Sequence, residues 1–217
     1  MALAALVGLR AEARILRRRG IRAEACGADP ARAAALAVRL RAAGADAILS
    51  FGIAGALAPD AASGTILLPR RVVSEAGEAF AADAALRQGI AERLVASGLS
   101  FDERDLLGRD RIASSAEEKA ALFRRTGAAA VDLESHAAAR AGGRFVVLRA
   151  IADPADFALP PAALVGLDSS GNAAVGAVLG ALLGAPAQLP DLIRLALLTR
   201  RALRTLSRTA SALPGST

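Results

Sequence analysis

Side chains able to form covalent or metal bonds are scarce in this chain. Its 217 residues include one cysteine, Cys26, and one histidine, His136. A single thiol excludes an internal disulfide and a multi-thiolate metal site, and a single imidazole excludes a His-rich zinc site. Cys26 closes Ile21–Cys26, which reads as a short strand, and there it fits a buried, small apolar side chain. Tryptophan and tyrosine are absent and aromatic residues make up 3%. That removes the stacking platforms used to hold single-stranded nucleic acid, so no nucleic-acid partner is expected. No run reaches the ~20 apolar residues needed to span a bilayer. Residues 2–8 are apolar but short and lack a basic start, so no signal peptide is expected and the protein is placed in the cytoplasm.

What the chain does have is a large apolar fraction. Hydrophobic residues are 54% and charged residues 22%, enough to bury a substantial core. The net charge is +6, almost entirely arginine, since Lys119 is the only lysine. Such a balance reads as compositional habit or as attraction to anionic partners. Short apolar runs alternate with helical segments, which implies a wound, largely parallel sheet. The runs are Ala2–Gly8, Ala45–Phe51, Thr65–Pro69 with Val72–Val73, Ala128–Val131 and Arg144–Ile151, with Phe101–Leu107 as an edge strand. Helices are expected at Arg10–Arg19, from Pro30 behind an Asp29 cap to Ala43, and over Asp83–Ser97. Two more are expected from a Ser115/Glu118 capping box to Arg125, and over Glu134–Ala141.

Two of these strands end in acids. Phe145–Ala152 runs into Asp153-Pro154, and Ala128–Val131 into Asp132-Leu133-Glu134. In open α/β sheets ligands collect at the carboxyl ends of strands, so the two ends mark a candidate site, although Asp153 could also be a strand-end cap. Gly52-Ile53-Ala54-Gly55-Ala56-Leu57 reads as a small-residue turn. It either admits a ligand close to the backbone or is simply tight; it is not a dinucleotide fingerprint. Arg10 and Glu12 sit at a helix N-terminus, where amide groups favour anions and where an acid also matches the helix dipole. His136 reads as packing or surface.

The last quarter differs in character. Residues 159–172 read as a loop, and Gly176, Gly180 and Gly184 as a close-packing stripe or ligand lining. The chain divides into a main domain, 1–189, and a basic amphipathic helix and tail, 190–217. At about 100° per residue, Arg194, Arg200, Arg201, Arg204 and Arg208 fall opposite Leu192, Leu195, Leu198, Leu203 and Leu206. Such a helix either packs on the core or lies on an anionic membrane surface, at the inner face of the cell membrane.

Together the motifs resemble the nucleoside phosphorylase and nucleosidase family. Gly52–Pro59 is similar to the family's Gly-Ser-Ala-Gly-Gly-Leu-Ala-Pro, Val131–Glu134 to its Val-Glu-Met-Glu, and Arg149–Asp156 to its Arg-Ala-Ile-Ser-Asp-x-Ala-Asp. The match covers residues 2–156. It implies a three-layer phosphorylase-like α/β fold, with a mostly parallel or mixed twisted sheet flanked by helices, and a homo-oligomer. The opening Gly-Leu-Arg-x-Glu-Ala and the apolar Pro-Pro tail look most like hopanoid-associated phosphorylases, which release adenine from adenosylhopane. The resemblance makes Asp153 the acid that protonates the purine at N7. Glu134 would hold the ribose hydroxyls beside Asp132, with Leu133 packed on the sugar, and Ile112-Ala113 would read the adenine edge. Glu12 would orient attacking water, or Arg10 with Gly52, Ile53, Ala54 and Gly55 would hold phosphate as co-substrate. No metal or organic cofactor is implied. Ala152 replaces the family serine, so Asp153 would need another partner to orient it. A methylthioadenosine/adenosylhomocysteine-type nucleosidase, and an inactive membrane-associated nucleoside-binding protein, are the alternatives.

Overall fold

The strands at the centre of the sheet are those with no exposed face. β1 (Leu3–Val7), β3 (Ala47–Ala56) and β9 (Arg144–Ile151) are buried along nearly their whole lengths, as befits parallel strands covered on both sides. In the computed structural model, which describes residues 2–164, 180 and 184–214, β2 (Arg22–Ala25), β1, β3 and β9 lie side by side and parallel. β4 (Ile66–Leu67) follows antiparallel to β9. β3 outruns β1, and its end pairs elsewhere: Gly55 and Ala56 lie antiparallel to Val131 and Ala130 of β8 (Ala130–Asp132). From β8 the sheet continues through β7 (Leu106–Gly108) and β5 (Arg71–Ser74), both parallel, to an antiparallel β6 (Ala79–Ala81). The result is a mixed, mostly parallel α/β sheet with helices on both faces.

Side-chain alternation along the strands sorts the helices into layers. Leu3, Ala5, Val7, Leu49 and Phe51 share one cluster with Ala13 and Leu16 of α1 (Arg10–Arg17) and with Ile90 and Leu94 of α3 (Ala84–Ala96). Ala4, Leu6 and Ile48 face the other way. They meet Ala33, Ala37 and Leu40 of α2 (Pro30–Ala42), and Ala137 and Ala138 of α5 (Ser135–Arg140). The caps follow from local chemistry. Asp29 accepts the Ala31 and Arg32 amides at 2.9 and 3.1 Å, and Ser115 accepts the Glu118 amide at 3.1 Å to open α4 (Ala116–Thr126). Glu118 does not complete the reciprocal box, because its carboxylate is taken by the Ser114 amide and Arg109.

Two expected elements come out differently. The small-residue stretch from Gly52 is not a turn, since β3 continues through it, held by β9 as far as Ala54 opposite Ile151. Phe101–Leu107 is not an edge strand. Its charged residues are occupied in loop ion pairs, Arg104 with Asp102 and Asp60, and Asp105 with Arg71. Only Leu106–Gly108 forms β7, and it lies inside the sheet. Gly176 and most of the 159–172 segment lie outside the described residues.

Beyond a short α6 (Pro161–Leu164), α7 (Leu189–Thr209) has two different halves. Ala202 and Leu206 are buried in the same cluster as β1, β3 and β9, joined by Ala212 and Leu213. In its first half Leu189, Ile193 and Leu197 are exposed. Among the described residues no helix is long and apolar enough to cross a membrane. Leu206→Ala should lower unfolding free energy by about 2–5 kcal/mol, whereas Arg204→Ala on the exposed side should change it by no more than about 0.5 kcal/mol. Equal losses in denaturant melts would show that α7 is not part of the core.

Candidate active site

The mismatch in strand length makes the site. β1 stops at Val7 while β3 runs on, and the space beyond the end of β1 is a cavity of ≈ 170 Å³. Its walls include Gly8, Leu9 and Glu12 after β1, and Ile53, Ala54 and Gly55 of β3. Arg111, Ile112 and Ala113 follow β7, Asp132, Leu133 and Glu134 come from the end of β8, and Asp153 follows β9. Ten of the twelve residues singled out in the sequence therefore share one cavity. Gly52 lies just behind it, against Glu12 and Arg149. Arg10 lies outside, on a groove with Arg14, Arg17, Arg18 and Arg32.

At the back of the cavity one guanidinium serves several acids. Arg149, 1% exposed, reaches Asp132 at 2.5 Å and Glu134 at 3.1 Å through Nη2. The same nitrogen donates to Ser50 Oγ at 2.7 Å. Asp132 also accepts the Ser135 amide at 3.1 Å and the Ser135 hydroxyl, so both its oxygens are occupied and it braces Arg149 as much as it lines the cavity. Glu12 is fixed by the backbone: Oε2 accepts the Leu9 amide and Oε1 the Ile53 amide, each at 2.8 Å. The first bond caps α1, while the second ties α1 to β3.

Burial governs how these acids titrate. Desolvation raises Glu12 above the usual carboxylate range, against the pull of Arg149 and the backbone amides. Desolvation likewise pushes Glu134 up to about 7; Arg149 opposes this, while Asp132 and Glu12 add to it. Cys26, whose Sγ lies 3.9 Å from Glu134 Oε1, is pushed up to about 12 by burial and then by Glu134. It stays a neutral thiol. Glycines provide clearance for this crowding: a Cβ on Gly8 would lie 2.7 Å from Glu134 Oε1, and one on Gly55 3.1 Å from Asp153 Oδ2.

Asp153 has a separate partner. Lys119 of α4, 0% exposed, donates to Asp153 Oδ2 at 2.5 Å and to the carbonyls of Phe157 and Pro154 at 2.7 and 3.0 Å. Arg149, Lys119 and Arg111 are site residues that reading the sequence missed. An arginine within an otherwise apolar buried strand was a visible signal for Arg149; Lys119 sits at an unremarkable helical position. His136 is buried and pairs with Asp110 at 2.8 Å, away from this cavity. Among the described residues no group of three or more His, Cys, Asp and Glu is arranged to hold a metal ion.

Glu134 should leave a trace in stability. Its folded value, about 7, lies above the ordinary 4.5, so across that window the folded chain holds a proton that the unfolded chain has lost. Stability therefore falls as pH rises through the window. Glu134→Gln has no proton to lose, so its melting temperature relative to wild type should be higher at about pH 8 than at about pH 5. The same difference at both pH values would contradict the assignment.

A sequence model described as the phosphorylase superfamily matches residues 11–175. No curated protein matches significantly. Among solved structures, the chain is similar to a 5′-methylthioadenosine/S-adenosyl homocysteine nucleosidase from Helicobacter pylori. The TM-score is 0.72 at 16% identity, over 96% of this chain and 95% of the other. It is also similar to futalosine hydrolase of Helicobacter pylori strain 26695, with a TM-score of 0.72 at 15% identity over 97% and 95%. The methylthioadenosine/adenosylhomocysteine nucleosidase of Neisseria meningitidis, in complex with methylthio-immucillin-A, gives a TM-score of 0.71 at 16% identity over 98% of both chains. With a family match across most of its length and this cavity at its strand ends, the chain belongs to the phosphorylase superfamily.

Proposed function

We propose that this enzyme releases adenine from a 5′-substituted adenosine, with adenosylhopane as its substrate. The observation that carries the chemistry is the gathering of Asp153, Glu134 and Glu12 on one buried cavity. Cleavage of the C1′–N9 bond sends its electron pair to the base and leaves positive charge on the ribose. Asp153 donates a proton to N7, so that adenine departs neutral, an assistance worth about 10²–10⁴-fold. Glu134 accepts hydrogen bonds from the ribose hydroxyls and, once ionised, places negative charge where the ribose becomes cationic, as does ionised Glu12. Leu133 packs on the sugar, and the backbone at Ile112-Ala113 meets the adenine edge.

The charge balance favours water over phosphate as the nucleophile. Arg149 is already paired with Asp132 and Glu134, Lys119 with Asp153, and Arg10 lies outside the cavity. A phosphate dianion would enter beside four carboxyl groups, with Arg149 and Lys119 engaged and Arg111, among the described residues, the one lining cation left to meet it. Glu12, fixed by two amides, is placed to orient the water.

An apolar 5′-substituent is supported by the surface next to the cavity. Leu159 lines the cavity, α6 begins two residues later, and the Ala162 amide donates to Gln188 at the head of α7, at 2.9 Å. Leu164 of α6, and Leu189, Ile193 and Leu197 along α7, are exposed there, with Arg194 and Arg200 on the same helix. This surface suits a lipid-linked nucleoside taken from an anionic membrane. The second reading, a nucleosidase for methylthioadenosine or adenosylhomocysteine, is favoured by the likeness to nucleosidases of that specificity.

Incubating the protein with adenosylhopane or methylthioadenosine, with and without phosphate, and measuring adenine separates these readings. Adenine release from adenosylhopane at a rate independent of phosphate is expected, with a loss of about 10²-fold or more in Asp153→Asn. Release from methylthioadenosine alone would establish the second reading, and full activity of Asp153→Asn would contradict the acid assignment.

A further inference from the structure

We propose that Lys119 is the positioning residue for the general acid: it fixes the rotamer of Asp153 and stabilises the carboxylate left behind when the proton goes to the base. This rests on the assignment of Asp153 in the proposed function and assigns a part to a residue which that reading leaves idle. Lys119 is the only lysine among 27 basic residues, and its side chain is wholly buried. Burying an ammonium group carries a desolvation penalty that a well-packed apolar side chain avoids. Its place here is therefore better explained by what it does to its partner than by stability.

The geometry matches lysine and not arginine. An ammonium group has three donors around one small centre, and three acceptors converge on it: Asp153 Oδ2, the Phe157 carbonyl and the Pro154 carbonyl. A planar guanidinium with five donors would overfill that space and leave donors unsatisfied. The two carbonyls belong to the segment immediately after the acid, so one side chain from α4 clamps both Asp153 and the turn that carries it. No other side chain at the strand end takes this part, because the preceding residue, Ala152, has only a methyl group to offer. Arg149, the buried cation at the back of the cavity, is committed to Asp132 and Glu134, and buried Arg109 to Glu75 and Glu118.

Because Lys119 occupies Oδ2, Oδ1 is the oxygen left to pass a proton to the base. As C1′–N9 breaks and its electron pair moves onto the base, the Oδ1–H bond breaks and N7–H forms. The charge left on the carboxylate is met at Oδ2 by an ammonium already in place. No reorganisation is needed at the moment of transfer, the condition under which electrostatic stabilisation is most effective. The water that bonds to C1′ releases a proton to solvent, and solvent returns one to Asp153 after the base has left, so the step balances as hydrolysis.

The test uses two leaving groups. Adenine needs a proton to depart, whereas the 4-nitrophenolate of a 5′-methylthio-substituted 4-nitrophenyl riboside does not. Lys119→Met should lower kcat for adenine release by about 10²-fold, the scale of general-acid assistance, with KM little changed, while nitrophenolate release stays at the wild-type rate. In the Asp153→Asn background the same substitution should bring no further loss, because its effect passes through Asp153. Should the Met variant not fold, Lys119→Gln keeps donors for the carbonyls without the charge and is read in the same way. Equal losses on both leaving groups, or a further loss on top of Asp153→Asn, would overturn the role of Lys119. Wild-type release of adenine that Lys119→Met matches would overturn it while leaving the proposed reaction intact, and wild type releasing neither leaving group would overturn both.

Discussion

One guanidinium buried at the centre of the sheet sets what the rest of the site can be. Arg149 projects from β9 into the space between the ends of β1, β3 and β8, and Asp132 and Glu134 converge on it with Glu12 close by. Without that charge, three carboxyl groups could not share so dry a volume. Even with it, burial leaves two of them, Glu12 and Glu134, titrating above the usual range. The same residues are structural: Glu12 caps α1 and ties it to β3, while Asp132 caps the start of α5 through Ser135. Fold and site are therefore parts of one network, and a defect in either should be felt in both.

The strand lengths were as important as the acids. Because β3 outlasts β1, its second half is free to pair with β8, and the corner so formed is the cavity. Ile53, Ala54 and Gly55 are consequently strand residues with a ligand-facing edge. Their small size serves clearance for Glu12, Arg149 and Asp153 more than it serves a turn.

Much of this was legible in the sequence because the signals were local. Apolar runs ending in Asp132-Leu133-Glu134 and Asp153-Pro154 announced two strand ends, and Asp29-Pro30 and Ser115 announced helix starts. What stayed hidden depended on pairing across the fold. The glycines from Gly52 to Gly55 suggest a turn until β9 is laid beside them, and the charged run after Phe101 resembles an edge until its partners are known. Lys119 lies in a helix whose other charged residues are exposed or paired on its surface side, so only α4's approach to the Asp153 turn makes it a site residue. The two halves of α7 share one amphipathic pattern, and only packing separates the buried Leu206 from the exposed Ile193 and Leu197.

The central claim, that Arg149 is the counter-charge on which the acids depend, is tested most directly by the unfolding free energy of Arg149→Met measured across pH. The variant should be less stable than wild type by about 3–5 kcal/mol at alkaline pH, and the deficit should shrink as pH falls and the carboxylates left without a cation take up protons. A deficit of the same size at every pH, or no deficit, would mean that the acids are held in place by something other than this arginine.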